Sequence, residues 1–82
     1  MSHEFEVVIG IRNEQLLKRF GERVRFLRSQ KGISQEKLAN LSGITISQVS
    51  RIERGEVNTT ISTLEVLSKS LNIPLPELVD LS

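Results

Sequence analysis

QEKLANLSGITISQVSRIER, residues 35–54, reads as two short helices joined by a turn too tight for an ordinary connector. Leu38, Ala39 and Leu41 form the apolar face of the first helix, and Val49 and Ile52 that of the second. Ala39 is small where two steeply crossing helices must approach closely. Gly43 follows the last turn of the first helix, where a left-handed backbone conformation is needed and a residue without Cβ adopts it freely. Ser34 and Thr45 stand as N-caps, each hydroxyl placed to accept from an otherwise unpaired N–H at a helix start. Ile44 plugs the turn into the core. A generic αα-hairpin would not require these positions to coincide, so residues 35–54 carry the pattern of a DNA-binding helix-turn-helix.

Composition sets the bounds around that unit. Eighty-two residues make one domain, able to bury roughly 60% of its unfolded surface. With 38% hydrophobic and 4% aromatic residues the core must be aliphatic. The sequence holds no Cys, which excludes disulfides and thiolate metal sites and fits a reducing interior. No apolar run approaches the ~18 residues that would span a bilayer, and no basic segment followed by an apolar stretch opens the chain. These features predict a cytoplasmic protein with no membrane partner, no metal and no cofactor. They also argue against an enzyme: the single His is His3, Tyr and Cys are absent, and no acid pair converges on a cleft.

The remaining periodicity predicts an all-α, five-helix domain over residues 13–82, preceded by an arm over residues 1–12. Helix 1 runs from about Asn13 to Gln30, with Leu16, Leu17, Phe20, Val24 and Leu27 on one stripe. Helix 2 covers Gln35–Ser42 and helix 3 Ile46–Arg54, stopped by Gly55. Thr60 caps helix 4, whose Ile61, Leu64, Leu67 and Leu71 recur at three and four residues, with Asn72 as a left-handed terminator. Helix 5 spans Leu75–Leu81, with Pro76 in its first turn.

Charge is unevenly distributed along this order. Residues 12–54 hold ten basic and four acidic side chains, whereas residues 1–11 carry −2 and residues 55–82 carry −3. The positive field thus belongs to the segment with the motif. On helix 3, Val49, Ile52 and Glu53 share one sector at 100° per residue. Ser47, Ser50, Arg51 and Arg54 point the other way, and this polar face suits a major groove. Arg51 is placed to reach guanine O6 and N7 with two parallel hydrogen bonds, and Ser47, Gln48 and Ser50 suit base edges or phosphates. Gln35, Thr45, Asn58 and Thr60 lie beside helix starts, where phosphate is favoured and register is fixed without reading sequence.

The stretch from Gly21 to Leu81, with its RFLR, GISQEKLA, SGI and SQVSRIERG segments, resembles the phage repressor and Cro family of helix-turn-helix proteins, also called the Xre family. The resemblance implies a lambda-repressor-like domain that binds double-stranded operator DNA as a homodimer and regulates transcription as a repressor or autoregulator. Members include phage repressors, controllers of restriction-modification operons and antitoxins. Asn58-Thr59-Thr60 before helix 4 resembles the last two groups, which leaves open a second reading with a toxin or other protein partner held by the arm or the C-terminus. The resemblance also implies a partner for the inward carboxylate of Glu53: Arg28, late in helix 1, in a structural pair tying helix 1 to helix 3.

The arm lies outside that pattern. Phe5, Val7, Ile9 and Ile11 alternate with Glu4, Glu6, Val8 and Gly10, the period of a strand. Such a strand could pair with its copy, cover helix 1 with Phe26 as a contact, or remain unstructured. A single recognition helix reads few base pairs, so two copies are expected. Ile73, Leu75, Leu78, Val79 and Leu81 supply the main candidate interface, with the arm as a supplement.

Overall fold

The computed structural model describes residues 12–82; the strand reading of the arm lies outside them. Within them the chain is all-α, with helices α1 (Glu14–Gln30), α2 (Gln35–Ser42), α3 (Ile46–Glu53), α4 (Ile61–Ser70) and α5 (Leu75–Leu78). Each of the first four starts on a side-chain cap: Asn13, Ser34, Thr45 and Thr60 accept from the N–H groups of Leu16, Lys37, Gln48 and Thr63. Each cap satisfies a donor that has no partner inside its helix.

The helix ends follow one scheme with one exception. After α1, α2, α3 and α4 the backbone turns left-handed at Gly32, Gly43, Gly55 and Asn72, and the next residue donates its N–H back over the last turn. Ile33 bonds to Arg28 O, Ile44 to Ala39 O, Glu56 to Arg51 O and Ile73 to Ser68 O, the six-to-one bond of the Schellman motif. Ile33, Ile44 and Ile73 fold against the core. At the end of α3 the equivalent residue is Glu56, which is exposed.

Phe20, Val24, Leu27, Leu38, Val49, Ile52, Leu67, Leu71 and Leu78 make one core with Ala39. α3 packs on α1 and α2, while α4 packs on α2 and α5. The crossing of α1 and α3 is close because Gly21 lies there: a Cβ on it would sit 2.5 Å from the carbonyl oxygens of both Ile52 and Glu53. Gly55 faces the same helix, and its Cβ would come within 2.8 Å of Lys18 Cα.

Several expectations need correction. α3 ends at Glu53, with Arg54 as its C-cap, and α5 stops at Leu78. Leu16, Leu41 and Ile61, assigned to buried faces, are exposed. Periodicity locates a stripe, but the packing partner decides which edge is covered. Leu16 borders an open groove, Leu41 stands beside the Ser42–Ser70 contact between α2 and α4, and Ile61 protrudes from the first turn of α4. Leu78, assigned to a dimer interface, is fully buried in the monomer; the short α5 needs it as its anchor.

Candidate nucleic-acid interface

The candidate reading surface begins with the way α3 is held. Glu53, on its inward side, is buried, and its carboxylate has three donors. Arg28 contacts both oxygens, Nε to Oε2 at 2.7 Å and Nη2 to Oε1 at 3.0 Å, and Gln35 Nε2 donates to Oε1 at 3.0 Å. The same guanidinium reaches Ile33 O at 2.9 Å. One carboxylate thus joins α1, the loop after it, α2 and α3. The hydrogen bond to Glu53 raises the Arg28 pKa above its ordinary value, outweighing the opposing effect of burial.

At the other end of α3 the Thr45 hydroxyl accepts from Gln48 N–H at 3.0 Å, and Gln48 Oε1 accepts from Thr45 N–H at 2.8 Å. This capping box fixes the start of the helix. Ser47 and Arg51 are exposed on the face opposite Val49 and Ile52, and Gln48 is exposed at its edge. Between that face and the start of α4 lies a depression of about 210 Å³, with Gln48, Arg51, Asn58, Thr60 and Thr63 among its lining residues. It brings together residues that sequence alone assigned to two separate segments. Thr59 also lines it, and its hydroxyl is buried with no hydrogen-bond partner among the described residues.

Other assigned residues are placed differently. Gln35 directs its amide inward to Glu53. Ser50 is half-buried and accepts from Arg54 Nη1. Arg54 also pairs with Glu56, Nε to Oε2 at 2.7 Å, and Arg51 Nε lies 3.9 Å from Glu56 Oε1. The outward face of α3 therefore has an acid beside it, which the charges on α3 alone do not show. The hydrogen bond from Arg54 lowers the Glu56 pKa below the usual carboxylate range, with Arg51 contributing through its charge. On α1, Arg19 and Arg23 donate to the carbonyls of Leu81 and Glu77, so part of the basic excess faces the C-terminal segment.

A family model described as Helix-turn-helix matches residues 24–78. The chain belongs to this family. Its members of the Xre and Cro/C1-like type are DNA-binding transcriptional regulators. The control protein C.SmaI of Serratia marcescens is 43% identical over 58 residues, covering 71% of this chain and 69% of its own length. The crystal structure of the restriction-modification controller C.AhdI from Aeromonas hydrophila aligns with a TM-score of 0.74 at 45% identity, over 76% of this chain and 94% of that one. A tetramer of the controller C.Esp1396I, solved in complex with its natural 35 base-pair operator, aligns with a TM-score of 0.69 at 31% identity, over 78% and 93%. Longer helix-turn-helix regulators also match, and the chain spans 31% of one of them.

Two features of the site escaped the sequence reading. Glu56 was counted only in the acidic balance of residues 55–82, although its place directly after Gly55 was a signal. Gly21 carried no signal in isolation, because a glycine inside a helix shows its role only beside its neighbour.

Proposed function

We propose that this protein binds a near-palindromic operator as a two-fold dimer and regulates the operon that encodes it, as a restriction-modification control protein would. The observation that carries this reading is the rigidly held α3 with its capped start and its exposed Ser47, Gln48 and Arg51. In this reading Arg51 contacts a base edge, and Thr45, Asn58 and Thr60 position the phosphate backbone, joined by the helix start that Gln35 occupies. The match to C.AhdI over 94% of its length supports a similar role. Acting on operator DNA places the protein in the cytoplasm.

The dimer contact in this reading centres on a groove of about 300 Å³ between the start of α1, α4 and the C-terminal segment. Leu16 and Val79 stand exposed on its rim, with Leu64 and Leu81 in its walls. Ile73 and Leu75 pack against the monomer core.

An operator selected from random-sequence DNA provides the test. Arg51→Ala should weaken operator binding by about 1–3 kcal/mol while leaving binding to random DNA nearly unchanged. Equal losses on both would reduce Arg51 to a phosphate contact. Val79→Asp should shift the protein to monomer in sedimentation, and an undisturbed dimer would refute the proposed two-fold face.

A further inference from the structure

Glu56 occupies a position that the same fold fills with isoleucine at three other helix ends. Ile33, Ile44 and Ile73 follow the left-handed residues after α1, α2 and α4 and pack on the core, as the apolar contact of this motif usually does. After α3 the equivalent side chain is a carboxylate lying on the outward face. Its backbone is fixed at three points: Glu56 N–H donates to Arg51 O at 2.9 Å, Gly55 N–H to Ile52 O at 3.0 Å, and Arg12 Nη2 to Glu56 O at 2.8 Å. The carboxylate is consequently held beside Arg54 and Arg51 by a built turn, unlike a surface acid on a free loop.

We infer that Glu56 is a specificity-determining residue, an internal counterion that restrains the arginines of the reading face from gripping phosphate indiscriminately. The inference rests on the DNA-binding reading above. A phosphate approaching this face meets two guanidiniums already sharing a carboxylate, and it meets the charge of that carboxylate as well. On random DNA only the backbone is offered, so the exchange gains little. On the operator, base-edge acceptors for Arg51 are added to the phosphates, and the exchange becomes favourable. Glu56 thus penalises non-specific binding more than operator binding, which is how a repulsive element raises specificity.

Glu56→Gln removes the charge and keeps the shape. Affinity for a random-sequence duplex at low salt should rise about threefold to tenfold, with the plot of log affinity against log salt concentration steeper by about one counterion. The ratio of operator to random-DNA affinity should fall. Random-DNA affinity and salt slope equal to those of the wild type would overturn the inference, as would an increase in discrimination. A melting curve of the variant matching the wild type assigns the change to charge. Should the wild-type protein select no operator from random-sequence DNA, the regulatory reading fails by itself, while the random-duplex comparison still decides the role of Glu56.

Discussion

Arg28 and Glu53 meet on the inward side of α3, and Arg54 and Glu56 meet beyond its outward end, with the same closest separation of 2.7 Å. Their surroundings differ completely. The first pair has side chains 14% and 4% exposed, the second 55% and 48%. On the inward side Glu53 is buried and Arg28 largely so, and each charge depends on its partner, so the pair is a structural necessity once either member is present. At the surface both charges keep their hydration, and the attraction adds little to stability. What the outer pair can alter is the field that an approaching polyanion meets. Contact distance alone therefore says nothing about whether an ion pair serves folding or binding.

The largest expected effect comes from breaking the inner pair. Glu53→Ala or Arg28→Ala should cost roughly 3–5 kcal/mol of stability, since each strands the other group in the interior. Replacing both together with apolar residues of similar volume should cost less than either single change. Urea melts of the three variants test this, and additive losses would show that the two charges do not depend on each other.

A smaller effect is expected from pressing on the same joint without touching a charge. In an exposed helix, alanine in place of glycine would add about 0.5–1 kcal/mol. At Gly21 the new methyl would meet two backbone carbonyls at 2.5 Å, and overpacking of that kind costs about 1–3 kcal/mol. Gly21→Ala should accordingly lower the melting temperature, and a variant that melts above the wild type would mean that the crossing has slack. The smallest effect belongs to the outer pair: Arg54→Ala should leave the melting temperature unchanged at low and high salt. A clear loss of stability would contradict the division between the two pairs.

What could be read from the sequence was local. The caps at Ser34, Thr45 and Thr60 and the left-handed residues Gly43 and Asn72 depend on neighbours within four or five positions, so order and spacing reveal them. The inward sector of α3 was also legible, because Val49, Ile52 and Glu53 share one side by helical period alone. Leu16 and Leu41 were not, since the edge of a stripe is buried only where another element lies over it. Leu78 was misread for the converse reason: a single turn of helix attaches through one side chain, and nothing in a four-residue segment shows which. The resemblance supplied Arg28 as the partner of Glu53, but Gln35 as a third participant emerged only from geometry. A second helix start, which the spacing marked for phosphate, had its side chain committed inward.

The joint between α1 and α3 rests on what is missing. Gly21 and Gly55 let one backbone lie directly on the other, with Ala39 similarly lean where α2 approaches. The close approach at Gly21 and Gly55 lies on the inward side of α3, away from the exposed side chains proposed to read DNA. Ser47 and Arg51 can then be exchanged like type in a fixed frame, whereas Gln48 also serves the capping box. A lineage built on this scaffold is free to drift from one operator to another through substitutions on a single exposed face, with the fold indifferent to which message is set.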